Sequence, residues 1–186
     1  MGIGVFDNPH LPGDEVYALL ARVSYVTPDA NDLKQTLQAN NVPEVIVYNK
    51  AAISDDEISI DLNTGEITFN QDFNGVALLS VGVLRELTGS GNIDWGVFVE
   101  AYDSVNAQWV PFEGSLQPIT ISTQTSNEKR RLVFPISIAL LKGQKFRFMH
   151  YTSDASKTVS IVSFAASGVL PSSAGVILSL FGIIPT

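Results

Sequence analysis

From Pro43 onwards, short apolar runs alternate with turn-rich segments along the whole chain. The runs read EVIVYN, EISIDL, EITFN, GVALLSVGVLREL, DWGVFVEAYD, QWVPFE, PITIST, RRLVFPISIALL, QKFRFMHYT, TVSIVSFAAS and GVILSLFGI. Between them lie segments rich in Gly, Asn, Ser and Asp, such as NTG, TGSGN and SDASK. Closely spaced strands joined by such turns are typical of all-β sandwiches and barrels. With no long helical run among them, the pattern disfavours a parallel α/β architecture.

Several of these runs are apolar on both faces. A strand with one face in water alternates apolar and polar residues, yet both registers are apolar or small between Val76 and Leu84. A two-sheet sandwich covers only the inner face of each sheet, so the outer face needs another cover. We expect a second copy of the chain to supply it. The predicted interface residues are Leu79, Val81, Phe146, Phe148, Val162, Phe164, Leu178 and Phe181.

The first 42 residues differ from the rest. They combine the turn-rich DNPHLPGDE, the apolar VYALLARVSYV and the polar TPDANDLKQTLQANN. A helix is predicted over Pro28 to Asn41, because Leu33 and Leu37 are four residues apart and Asn40 and Asn41 can end it. The interpretation is an N-terminal arm over residues 1–42 and a main β domain over residues 43–186.

Composition favours assembly. The 186 residues carry a net charge of −8 and mean hydropathy is +0.20, but only 16% of residues are charged. Ordinary soluble domains are about 25% charged, so the composition indicates surface buried between subunits. The negative charge argues against nucleic acid or an anionic membrane as a partner.

Cysteine is absent, which excludes disulfides, thiolate metal sites and cysteine nucleophiles. The N-terminus does not resemble a secretory signal. The apolar stretch GVILSLFGII is about half the length that a membrane-spanning helix needs. No membrane segment is expected.

Candidate catalytic groups are sparse. His10 and His150 are the only histidines, and neither lies at a telling spacing from a serine or an acidic residue. Asp94, Glu100 and Asp103 offer a carboxylate pair for glycoside hydrolysis, but acidic residues near strand ends are usually solvated. We expect no enzyme activity and no cofactor.

Two polar motifs have competing interpretations. Asp61, Asn63 and Gly65 resemble part of a calcium loop, but the bidentate glutamate is missing, so a β-turn is favoured. The basic run Lys129 to Arg131 is interpreted as a solvated loop or an ion pair between subunits. No metal site is predicted.

Three aromatic residues lie within fifteen positions: Trp95, Tyr102 and Trp109. Trp95 and Trp109 are candidate glycan contacts, since aromatic rings stack on sugars. The favoured alternative is that both tryptophans fill the sandwich ends or a subunit interface.

Three motifs, in order, resemble the jelly rolls of the tumour-necrosis-factor and complement-globular-head superfamily. The first is DLNTGEITFNQDFNGVALLSVGVL, with Thr64, Gly65, Phe69 and Gly75 at the matching positions. The second is ISIALLKGQKFRFMHYT, in which Gln144 replaces the usual acid, and the third is SSAGVILSLFGI. Together they span roughly residues 58–183. The resemblance implies a jelly roll that trimerises about a three-fold axis.

A cysteine-free jelly roll of low charge with a short N-terminal arm also resembles virion proteins of tailed bacteriophages. The types are head decoration proteins, head fibres and fibre tips. This resemblance implies a homotrimer on the capsid surface that binds the major capsid protein or another virion protein and stabilises the head. The alternative is a receptor- or glycan-binding head of a fibre.

Overall fold

A computed structural model describes residues 16–25, 34–54, 56–86, 91–122, 128–164, 169 and 173–184. These residues form fourteen strands and one 3-10 helical turn, Ala155–Lys157. The strands are β1 (Val16–Tyr25), β2 (Gln35–Thr36), β3 (Glu44–Val45), β4 (Lys50–Ser54), β5 (Ile58–Ile60), β6 (Ile67–Phe69), β7 (Phe73–Arg85), β8 (Ile93–Asp103), β9 (Gln108–Pro111), β10 (Gln117–Ile121), β11 (Glu128–Leu140), β12 (Lys145–Thr152), β13 (Val159–Ile161) and β14 (Val176–Ile184).

The strands build two seven-stranded antiparallel sheets. Sheet A has the order β2-β13-β7-β14-β1-β4, and β11 also pairs with β7. Sheet B has the order β10-β8-β12-β6-β5, with β3 on β12 and β9 on β8. The predicted all-β sandwich is confirmed.

One hydrophobic core fills the space between the sheets. On β7 the inward residues are Ala77, Leu79, Val81 and Val83, each at most 1% exposed. On β12, Phe146 and Phe148 point inward from sheet B and are fully buried. The alternation that defines these inner faces follows from the two-residue period of a strand.

The outer face of β7 changes along its length. Its first half lies between β11 and β14, and its outward residues Val76 and Leu78 are each 37% exposed. Near its end the same face is covered by the chain itself, because a Cβ built on Gly82 would approach the Phe164 ring to 3.2 Å. Leu84, further along, is only 5% exposed. The outer face of β7 is therefore apolar near its end because another segment of the same chain covers it.

The helix predicted over Pro28 to Asn41 is wrong in the part that the structure describes. Residues 34–41 contain the short strand β2 and a turn in which Asn41 has a φ of 55°. Leu37 is 2% exposed in the core, and its backbone N–H donates to the Val159 carbonyl at 3.2 Å. Residues 28–33 lie outside the described residues. Pairing to the sheet satisfies the backbone here in place of helical bonds.

The apolar run before this segment is also a strand. β1 pairs with β14 on one side and with β4 on the other. Within residues 1–42, the described backbone thus contributes two strands to sheet A.

Candidate functional site

An apolar patch lies on the outer face of sheet A, where three strands run side by side. Directly paired residues of antiparallel strands share one face, and the register of β11, β7 and β14 forms three rows across this surface. We call it the sheet A patch. The rows are Val133–Ser80–Ile177, Pro135–Leu78–Ser179 and Ser137–Val76–Phe181.

None of the nine residues in this patch carries a charge. The large apolar side chains remain accessible, with exposures of 54% for Val133, 38% for Phe181 and 37% each for Val76 and Leu78. Isolated exposed apolar residues are normal on protein surfaces, but contiguous groups mark interaction sites. The patch can therefore release ordered water on contact with a complementary apolar surface.

Arg131 bounds the patch at one end. Its Nη2 donates to Ser173 Oγ at 2.8 Å and to the Ala174 carbonyl at 2.5 Å, and its guanidinium lies 5.1 Å from the centre of the Phe164 ring. Partial burial lowers the pKa of Arg131. The residue holds the segment before β14 onto β11, so the interpretation of this arginine as part of a solvated loop is wrong.

Most of the predicted interface residues lie elsewhere. Those in the core between the sheets are completely buried within one chain and leave no surface for a neighbour; they are Leu79, Val81, Phe146, Phe148 and Leu178. Val162 is 4% exposed, and Phe164 is half-buried beneath Arg131. Of the eight, Phe181 alone lies in the sheet A patch. The exposed apolar residues Val76, Leu78 and Val133 lie on the other face of strands β7 and β11.

The comparisons with known proteins agree with this topology. No protein-family model and no curated protein matches the chain. Among solved structures, the Eiger TNF from S. frugiperda is similar with a TM-score of 0.50 and 9% sequence identity, covering 90% of this chain and 94% of that chain. The chain has a TNF-like jelly-roll fold. At this identity the similarity concerns the fold alone.

Within the jelly roll, Trp95 cannot contact a glycan. Its side chain is 0% exposed on the inner face of sheet B, with ring centroids 6.1 Å from Phe134 and 6.2 Å from His150. The prediction for Trp95 is wrong because an indole in the core contributes packing instead. The alternative interpretation, a tryptophan that fills a sandwich end or a subunit interface, also assigned it a packing role, and the structure places the indole in the core of one chain.

Trp109 lies on the outer face of sheet B in a cluster of charged and aromatic side chains. The guanidinium of Arg147 stacks 4.3 Å from the Trp109 ring centre, and Tyr102 meets the same ring edge-on at 5.2 Å. Arg147 Nη2 also lies 2.7 Å from Glu100 Oε2. The stack connects β9 to β12 across β8. The role of Trp109 as a glycan contact stays a prediction.

The described candidate catalytic residues are each buried or bonded within the fold. His150 is buried, and burial lowers its pKa to about 3. Asp94 accepts a hydrogen bond from Thr120, Glu100 is paired with Arg147, and Asp103 binds the turn that follows it. The Asn106 side chain and two backbone N–H groups lower the pKa of Asp103. His10 lies outside the described residues.

The calcium-like motif is a turn. Asp61 Oδ1 accepts the backbone N–H groups of Asn63 at 2.9 Å and Thr64 at 3.3 Å, and Gly65 has a φ of 68°. These bonds lower the Asp61 pKa. Among the described residues no three acidic or histidine side chains are grouped to hold a metal ion. In the same part of the chain no helix is long and apolar enough to cross a membrane.

Proposed function

We propose that the chain is a non-enzymatic structural protein of a phage particle, which assembles as a homotrimer and decorates or stabilises the capsid. The observation that carries the self-assembly is the uncharged sheet A patch, with four large apolar side chains exposed by more than a third. We propose that further copies of the same chain bind this patch.

Several features support self-association. Only 16% of the residues are charged, so little surface charge is available to keep a chain with this exposed apolar patch soluble as a monomer. Burial of apolar area contributes about 25 cal/mol per Å² before the costs of association. Closed cyclic symmetry lets identical patches be hidden without open-ended growth. The three-fold symmetry rests on the resemblance of the sequence motifs to trimeric jelly rolls.

The virion role rests on composition and on the resemblance to phage head and fibre proteins. A fold hosts many activities, so the role has to be judged by partners. The expected partner is the major capsid protein, and the expected location is the capsid surface. Neither nucleic acid nor membrane is expected to bind.

Light scattering tests the assembly first. The wild type should have a mass of about 60 kDa, three times the 20.1 kDa of the chain. Phe181→Asp should be monomeric, because it places charge in the patch, whereas Val105→Asp, at an 89% exposed turn position, should remain trimeric. A monomeric wild type or a trimeric Phe181→Asp would contradict the proposal.

Co-sedimentation tests the virion role. The trimer should pellet with undecorated capsids of the phage whose genome encodes it, and with saturable stoichiometry. If the trimers stayed intact in the supernatant and did not bind those capsids, the proposed decoration role would be wrong, whereas the proposed trimer would be unaffected.

A second candidate function is a receptor- or glycan-binding head of a fibre. It is favoured by an open cleft on sheet B, opposite the sheet A patch, that is lined mainly by aromatic and apolar residues. Trimerisation and this function are compatible.

A further inference from the structure

The cleft lies on the outer face of sheet B between two loops. Phe98 of β8 and Tyr151 of β12 form its floor, since both point away from the core. Asn41 and Pro43 form one wall, and the β9–β10 loop with Phe112 forms the other. The cleft has a volume of about 490 Å³, within the range of about 300–1,000 Å³ typical of small-molecule sites.

The β9–β10 wall is held in place before any ligand binds. Ser115 is 5% exposed, and its Oγ accepts the Val99 N–H at 3.0 Å and donates to the Phe112 carbonyl at 2.7 Å. The Phe112 N–H donates to the Val99 carbonyl at 2.8 Å. A loop bonded to the sheet in this way loses little conformational freedom on binding.

The other wall and the floor are also fixed. The Asn41 N–H donates to the Thr152 carbonyl at 2.8 Å. Tyr151 packs directly over Gly96, where a Cβ would come within 2.8 Å of the tyrosine ring and 3.0 Å of the Gln117 carbonyl. A glycine at this position lets the ring lie close to the sheet, so the floor includes an aromatic ring packed against the backbone.

Charge and polarity narrow the ligand class. Glu113 is the one charged residue among the described residues that line the cleft. Burial raises the pKa of Tyr151, and the charge of Asp94 raises it further, so a second carboxylate lies near the tyrosine. With a net charge of −8, this environment repels anions. Asn41 and Glu113 contribute an amide and a carboxylate to the lining of the cleft, and these groups suit hydroxyl groups.

From these observations we infer that the cleft binds an uncharged saccharide unit, stacked on Tyr151 and Phe112 and hydrogen-bonded by Asn41 and Glu113. Phe112 is 48% exposed, so its ring is available for stacking. The cleft and the sheet A patch belong to different sheets. Self-association through sheet A therefore leaves the saccharide site open.

Saturation-transfer NMR with the full chain tests the inference. The probes are D-galactose, D-glucose and N-acetylglucosamine, with N-acetylneuraminic acid as the anionic and choline as the cationic comparison. At least one neutral sugar should show saturation transfer and titrate, and the two charged probes should not. Transfer to no neutral sugar, or to choline alone, overturns the inference.

Variants locate the binding. Phe112→Ser should lower the affinity for the neutral sugar at least tenfold. Asn41→Gly should lower it several-fold, and glycine tolerates the positive φ of this position. Leu141→Ser, at a 64% exposed apolar position on another loop, is the matched control. Circular dichroism and light scattering on the same samples verify fold and assembly. Unchanged affinity in both cleft variants places the sugar elsewhere and overturns the inference.

Discussion

The guanidinium of Arg147 stacks on the indole of Trp109, with Cζ 4.3 Å from the ring centre. The two residues lie on different strands, β12 and β9, and β8 runs between them. The stack therefore links three neighbouring strands of sheet B. Glu100 on the middle strand accepts hydrogen bonds from Arg147 Nε at 2.8 Å and pairs with Nη2 at 2.7 Å.

We expect Arg147→Lys to lower the free energy of unfolding by about 1 kcal/mol, because lysine keeps the charge but loses the planar stack and the two-point contact. Trp109→Leu should cost a similar amount. A double-mutant cycle by urea denaturation should show a coupling of about 0.5–1 kcal/mol. Gln108→Ala, on the same strand and exposed, is the control; strictly additive effects of the two substitutions would contradict the stack.

The buried His150 makes stability depend on pH. Its folded-state pKa is lowered from 6.5 to about 3 by burial, so between these values the unfolded chain binds a proton that the folded chain does not. The contribution of His150 to the free energy of unfolding is then complete above pH 6.5. Below it, the free energy of unfolding falls by about 1.4 kcal/mol per pH unit as the pH decreases toward 3. Urea denaturation from pH 7 to 4.5 measures this slope.

His150→Leu should flatten the slope over the same range. The carboxylates of Asp61, Asp103 and Asp154 have lowered pKa values, and their contribution is lost only at still lower pH. They therefore do not confound a measurement above pH 4.5. Equal slopes in the wild type and in His150→Leu would mean that the histidine titrates normally.

Gly75 of β7 pairs directly with Gly182 of the neighbouring strand β14. A Cβ on this residue would collide with the Phe181 backbone carbonyl and come within 2.8 Å of Gly182 Cα. Gly75→Ala should therefore destabilise the chain by about 1–3 kcal/mol, as overpacking does. Thermal unfolding measures it, with Asn74→Ala on the same strand as the exposed control. Equal melting temperatures for the two variants would contradict this close approach.

The sequence predicted the fold class better than the interaction surface. Strand runs separated by polar turns were readable because each run follows a two-residue period, and DWGVFVEAYD corresponds closely to β8. The helix predicted over Pro28 to Asn41 failed in its described part, residues 34–41, because the spacing of Leu33 and Leu37 carries too little information. Pairing of Thr36 with Ser160, 124 residues away, decides this segment.

The face of a doubly apolar strand could not be chosen from its pattern. In β7, Leu78 and Leu79 are chemically identical neighbours, yet one is 37% exposed and the other is buried. Only the position of sheet B distinguishes them. Trp95 is a similar case, since its run between polar turns allowed both a packed position and a glycan contact, and the second sheet decides by burying the indole.

These two leucines provide the sharpest separation of core from surface. Leu79→Ala should lower the free energy of unfolding by about 2–5 kcal/mol, because it leaves a cavity in the core. Leu78→Lys should change the stability of the isolated chain by less than about 1 kcal/mol, but it places a charge in the middle row of the sheet A patch. We therefore expect it to dissociate the assembly while circular dichroism stays native. Urea denaturation and light scattering on both variants measure the two effects separately. An assembled Leu78→Lys would show that the patch is not the interface, and a stable Leu79→Ala would show that the register of β7 is reversed.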